Sequence, residues 1–314
     1  MTAAPPAPAV ATTSAGMAGH ERARRRLFWP FLLPALALYT LLLVVPSLSS
    51  LWVGLHRWSG LGSQMEWVGL GNYTRLLRNE AFTTAFGNTI MLTVLGALAV
   101  FGVTFAAMIV LRDVKGRTLI RSIVFVPYIL SPIALGVAVG FLLNPDGAVN
   151  TLLEGIGLES LTRAWLHPDT IFSVIIVAFS WSVGGFYLAL LMSGVDSIPD
   201  ELYESADLAG ASSWQKFRHI TFPLSRDALS TAAVLWVINA LKVFEIVIAF
   251  TGTAGTPPIA ARTIAVQQYL SVTGGREGIP QLGAAAAIGV LMFLLSSVLV
   301  VLVRRVLASE VYAR

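Results

Sequence analysis

Six apolar runs separated by polar segments set the pattern of this chain. They fall near residues 28-50, 86-111, 119-143, 170-194, 228-250 and 282-303, and each is long enough for a helix to cross a bilayer, which takes about 20 residues. The pattern predicts an all-α polytopic membrane protein with six transmembrane helices and no strand-rich domain. Pro30, Pro34, Pro46, Pro127 and Pro132 would kink or end helices in water. Within a bundle, neighbouring helices can satisfy the backbone groups that they free. Composition agrees: hydrophobic residues make up 56% of the 314 and charged residues 12%, against about 25% charged in soluble domains.

The polar segments give the orientation. Residues 1-20 are rich in Ala, Pro, Thr, Ser and Gly and read as a disordered cytoplasmic tail, ahead of a six-helix domain over 21-314. Arg22, Arg24, Arg25 and Arg26 then precede an apolar run from Leu27 to about Leu55. A secretory signal starts in the same way, but this run is too long for one and has no convincing small-residue cleavage site, so an uncleaved first span is expected. With the tail inside, the inner segments hold Arg22, Arg24, Arg25, Arg26, Arg112, Lys115, Arg117, Arg121, Lys216, Arg218, Arg226, Arg304, Arg305 and Arg314; the outer loops hold only Arg57, Arg75, Arg78, Arg163, Arg262 and Arg276. This asymmetry puts both termini and the segment 196-226 in the cytoplasm. The formal charge of +4 follows from that distribution; no basic patch with interleaved aromatics suggests nucleic acid. The absence of cysteine excludes disulfides and thiolate metal sites.

One polar stretch stands apart: Glu201-Leu-Tyr-Glu-Ser-Ala-Asp-Leu-Ala-Gly-Ala-Ser-Ser-Trp-Gln-Lys-Phe-Arg-His-Ile-Thr-Phe-Pro-Leu-Ser-Arg226. Ser197 can cap a helix with Pro199 in its first turn and Asp200, Glu201 and Glu204 near its positive end. Gly210 supplies a stop, a second short helix begins near Ser212 and Ser213, and Pro223 ends it. Leu202, Ala206 and Ala209 recur at helical spacing and offer a small apolar face for close contact with another surface.

This stretch resembles the "EAA" cytoplasmic loop of permease subunits of bacterial ATP-binding-cassette importers, with Glu204, Ala206, Gly210, Ile220 and Pro223 at matching positions. Ser205 replaces the first alanine of the motif, and Ala209 precedes Gly210 where the family usually carries Asp. The resemblance implies that Glu201, Glu204, Ala206, Asp207, Gly210, Ala211, Ile220 and Pro223 belong to a coupling helix between spans four and five, which docks on a separate ATPase. Trp67-Val-Gly-Leu-Gly-Asn-Tyr73, Asn88-Thr89, Val126-Pro-Tyr128, Asn144-Pro145, Thr251-Gly252 and Gly283-Ala-Ala-Ala-Ala287 are similar to landmarks of carbohydrate-importer permeases of the maltose type. Thr251-Gly252-Thr-Ala-Gly255 departs from the usual Thr-Gly-Gly-Pro, and no room is expected for extra N-terminal spans or a large outer domain. The implied partners are a second homologous permease, an ATPase dimer and an extracytoplasmic solute-binding protein, with the chain in a bacterial cell membrane.

No Gly-x-x-x-x-Gly-Lys-[Ser/Thr] loop occurs, nor any Gly-Lys dipeptide. The chain is therefore expected to be non-catalytic and without a cofactor, ATP and Mg being bound by the partner ATPase. His20, His56, His167 and His219 are scattered, with no pair at metal-ligand spacing. Trp236, Asn239, Ala240 and Val243 fall on one face of the fifth run at i, i+3, i+4, i+7 spacing. Resemblance places Phe179, Val183 and Phe186 on the corresponding face of the fourth, where Trp181 matches, and assigns solute contact to these two helices. Aromatic faces and one amide would suit neutral polyols; ordinary helix packing is the competing explanation. Lys242 and Glu245 are the outstanding intramembrane charges, either a structural i, i+3 pair or part of the path. The function expected is an importer permease for a sugar or oligosaccharide; a non-sugar solute and an ion-coupled carrier are the alternatives.

Overall fold

The computed structural model describes residues 28–60, 62–111, 114–251, 256–275 and 278–307. The expected tail 1-20, the Arg22–Arg26 cluster and the Gly252–Gly255 landmark lie outside the described residues. The chain divides into two units, one ending at Trp52 and the other beginning at Val53. The first contains most of α1 (Phe28–Val53), an apolar helix with none of its residues buried. A π turn at Thr40–Val44, closed by Val45 N–H to the Thr40 carbonyl, precedes Pro46. The wider turn reroutes the backbone bonding just where the proline supplies no donor.

The second unit is almost wholly helical. A two-residue ladder pairs β1 (His56–Arg57) with β2 (Glu66–Trp67) antiparallel. The helices are α2 (Gly71–Leu77), α3 (Glu80–Leu111), α4 (Arg117–Ile129), α5 (Pro132–Leu142), α6 (Ala148–Gly155) and α7 (Ile171–Asp196). They continue with α8 (Asp200–Leu208), α9 (residues 213–224), α10 (Arg226–Leu241), α11 (Glu245–Thr251), α12 (Ile264–Thr273) and α13 (Leu282–Leu307). Helix α7 runs through the core between α3 and α4. Tyr187, Leu191 and Met192 of α7 are buried together with Leu92 of α3 and Ala232 and Trp236 of α10.

Four of the expected spans are single helices long and apolar enough to cross a membrane: α1, α3, α7 and α13. The other two apolar runs are each broken into two helices. Run 119-143 is split into α4 and α5, bent by 93°. Pro132 disfavours the helical conformation at the residue before it, and Ser131 has φ −57° and ψ 130°. Run 228-250 stops at Leu241 and restarts at Glu245. No proline marks that break; the Thr263 hydroxyl donates to the freed Val243 carbonyl at 2.6 Å.

Asparagine side chains, two of them landmarks, satisfy backbone carbonyls of other segments. The Asn72 amide donates to Gly54 and His56 carbonyls, both at 2.8 Å, and Asn88 to those of Ala260 and Arg262 at 2.9 and 3.0 Å. Asn150 donates to Pro145 and Arg163 carbonyls and accepts from the Trp165 indole. Each amide replaces hydrogen bonds that water would otherwise make.

Candidate functional site

Two regions carry the residues singled out by sequence. The first is a cavity of about 200 Å³ where α4, α5, α7 and the α10–α11 break meet. Its walls include Phe179, Ser182 and Val183 from α7, Asn239 from α10 and Glu245 from α11, together with Lys242 and Val243 at the break. Tyr128 and Leu130 close it from the α4–α5 bend. Six expected path residues therefore share one cavity: Phe179, Val183, Asn239, Lys242, Val243 and Glu245. The Asn239 amide donates to the Tyr187 hydroxyl at 3.1 Å. Among the described residues Lys242 and Glu245 form no ion pair with each other; both are exposed at the two ends of the helix break.

Trp236, Ala240 and Phe186 do not line the cavity. Trp236 is 2% exposed and its indole donates to the Thr93 carbonyl at 2.8 Å. Its ring lies against Phe179, Tyr187 and Phe101. Gly96 makes room for it: a β-carbon there would come within 2.7 Å of Trp236 Cζ2. Ala240 is fully buried. Phe186 stands behind the cavity wall, stacked on Tyr128 at 4.8 Å between centroids.

The second region is the loop 196-226. Helix α8 begins after Pro199 and ends in a Schellman turn, with Gly210 N–H bonding to the Asp207 carbonyl at 3.0 Å and Ala211 N–H to that of Ala206 at 2.9 Å. Gly210 has φ +74°, which the six-to-one closure requires and which only glycine adopts without strain. Helix α9 then starts from a capping box: the Ser212 hydroxyl accepts from Gln215 N–H, and the Gln215 side chain accepts from Ser212 N–H. Ser197 does not cap α8 as its position suggests. Its hydroxyl donates to the Gly194 carbonyl at 2.7 Å, so it belongs to the end of α7.

Two contacts the sequence reading missed hold α8 against α9. Tyr203 is buried and its hydroxyl lies 2.9 Å from Thr221 Oγ1, and Lys216 Nζ reaches Asp207 Oδ1 at 2.7 Å. The face predicted from spacing is left open instead: Leu202 and Ala209 are exposed and Ala206 is half-buried. A π turn at Phe217–Thr221 precedes Pro223 as another precedes Pro46, and the helix continues to Leu224 rather than ending at the proline. Ala206, Gly210, Ala211 and Ile220 line one groove of about 380 Å³. Glu201 and Glu204 are exposed and make no ion pair among the described residues; Leu208 and Trp214 are exposed as well.

Among the described residues no group of three or more His, Cys, Asp or Glu could hold a metal. The arrangement offers a largely apolar cavity that carries a few polar side chains, Ser182, Asn239, Lys242 and Glu245 among them, and an internally braced, exposed loop.

Residues 99–311 match the family model described as "Binding-protein-dependent transport system inner membrane component". The chain is 34% identical over 248 residues to the probable ABC transporter permease protein YurN of Bacillus subtilis (strain 168), covering 77% of this chain and 83% of that one. It is 30% identical over 274 residues to the trehalose/maltose transport system permease protein MalF of Thermococcus litoralis, covering 86% and 90%. A solved bacterial ABC transporter involved in import of the acidic polysaccharide alginate shares the fold, with a TM-score of 0.76 at 24% identity over 93% of this chain and 98% of that one. A family match over more than half of the chain, with permease relatives aligned over most of their length, shows that this protein belongs to the binding-protein-dependent transport system inner membrane components, the permease subunits of ABC transporters.

Proposed function

We propose that this chain is the permease subunit of an ATP-driven, binding-protein-dependent importer for a sugar or oligosaccharide, forming half of the translocation path by alternating access. The observation that carries the reading is the loop 196-226. Tyr203, Lys216 and the Gly210 turn fix its fold internally, while Glu201, Glu204, Leu208 and Trp214 remain outward. Such a rigid polar-and-apolar projection suits docking on another subunit. The ATPase dimer supplies ATP and Mg chemistry, a second permease completes the path, and a solute-binding protein delivers from outside.

Sugar as solute is supported by relatives named for trehalose and maltose, diacetylchitobiose, lactose and arabinooligosaccharides. The cavity chemistry agrees: Phe179, Tyr128 and Asn239 all line it, and aromatic and amide side chains together fit C–H surfaces and hydroxyls. Reconstitution with and without the ATPase tests the function. Uptake that requires ATP and the binding protein is expected, and ATP-independent, ion-driven uptake would overturn the assignment.

Counting α4–α5 and α10–α11 as broken spans gives six crossings with the loop and both termini in the cytoplasm, in keeping with the basic asymmetry. Cysteines introduced singly at Ser213 and Ser63 should then label oppositely with an impermeant reagent in intact cells, only Ser63 reacting from outside.

The cavity geometry separates two substitutions. Asn239→Ala should leave the complex assembled and weaken solute handling by about 0.5–1.5 kcal/mol, the worth of one neutral hydrogen bond, read as a raised half-saturation for uptake. Trp236→Ala removes a buried ring and should destabilise the fold by about 3–5 kcal/mol, lowering the unfolding temperature and the yield of complex before any effect on affinity.

A further inference from the structure

We infer that Asp196, held by Arg117 and Arg121, is a positioning residue that makes α4 follow the loop 196-226 and so carries loop movement to the cavity wall. The inference rests on the loop being the ATPase-coupling element. Asp196 is the last residue of α7, four positions before α8 begins. Its carboxylate accepts from both Arg121 terminal nitrogens, at 2.7 and 3.3 Å, and lies 3.2 Å from Arg117 Nη2. Arg117 and Arg121 stand one turn apart on the same face of α4, so both reach one acceptor. The Arg121 side chain is 17% exposed, and a two-point arginine clasp fixes direction as well as distance.

The same two helices touch at a second place. Gly185 of α7 lies directly against the Val124 carbonyl of α4. The two helices pack together elsewhere too, with Phe186 of α7 stacked on Tyr128 of α4. The clasp sits eleven residues beyond Gly185 along α7, about 16 Å at 1.5 Å per residue, and ties the loop end of α7 to α4. Pro127 and Tyr128, one turn beyond Val124, line the cavity. Loop, clasp, Gly185 contact and cavity wall thus form one connected body.

This chain has no native cysteine, so within it labels attach only at introduced cysteines. Nitroxide labels on cysteines at exposed Ser122 of α4 and Ser297 of α13 report α4, and labels at Ser213 and Ser297 report the loop. Distances are measured by pulsed electron resonance in the assembled, reconstituted complex, nucleotide-free and trapped with ADP and vanadate. In the wild type both distances should shift on trapping. Asp196→Asn should retain the Ser213 shift and lose the Ser122 shift, while Asp196→Glu, which keeps the charge, should retain both. If Asp196→Asn keeps both shifts, or loses both, the clasp does not transmit movement and the inference fails. If the wild type shows neither shift, the importer reading itself falls, and the clasp inference with it.

Discussion

Gly185→Leu is expected to prevent a stable complex from forming, while Gly184→Leu, one residue away, assembles normally. A β-carbon at Gly185 would collide with the Val124 carbonyl oxygen and come 2.6 Å from Val124 C and 2.7 Å from Phe125 Cα. These are backbone atoms, so no rotamer change relieves the contact; α4 and α7 must separate. Overpacking of this kind costs about 1–3 kcal/mol and sometimes more, and here it falls on a close backbone approach between α7 and α4. Nothing lies within 4 Å of a β-carbon at Gly184, which makes it the matched control. Size-exclusion profile and yield of the purified complex should separate the two variants; equal, monodisperse yields would show that the α4–α7 contact is not needed for assembly.

The helical character of this chain was legible because apolar run length is a direct consequence of bilayer thickness. The break between α4 and α5 was foreshadowed by Pro132, although the proline alone indicated an interruption and not an angle. The break after Leu241 left no local mark. It is held by the Thr263 hydroxyl on the Val243 carbonyl, a contact made across twenty residues, and run-length reasoning sees nothing of such a bond. Asn72, Asn88 and Asn144 entered as positions in a family pattern. The structure gives physical reasons for the first two, since their amides replace hydrogen bonds at backbone carbonyls of other segments.

Helical spacing also fixed less than it suggested in the candidate site. It put Trp236 and Asn239 on one face, yet that face is wide enough for Asn239 to line the cavity while Trp236 lies in the core against Thr93. In α8, periodicity selected Leu202, whereas Tyr203 seats the helix. Successive residues of a helix point about 100° apart, so choosing Leu202 rather than Tyr203 in the nine-residue α8 turns the predicted face onto another side. The turn at Gly210 was legible, because a left-handed helix stop has a residue preference of its own.

Gly210→Val and Glu204→Lys should each abolish ATP-driven uptake while leaving membrane insertion intact, and they should do so for different reasons. Nothing lies within 4 Å of a β-carbon at Gly210, so valine meets no steric obstacle in the surroundings. The penalty is in the backbone: φ +74° costs an L-residue about 1–2 kcal/mol, and more for a branched side chain. The substituted chain relieves that strain by opening the Schellman turn, which releases the Ala206 and Asp207 carbonyls and loosens α8 from α9. Glu204→Lys leaves the turn alone and reverses an exposed charge that has no partner within the described residues. Gly210→Ala should fall between valine and wild type, because it carries the left-handed strain without the branching. Neither site is among the residues lining the intramembrane cavity. Binding-protein-stimulated ATP hydrolysis should therefore fall together with uptake in both variants, through failed docking or uncoupling. Wild-type stimulation and uptake in purified complexes carrying either change would remove the loop 196-226 from the coupling pathway, and with it the main structural support for an ATP-driven importer.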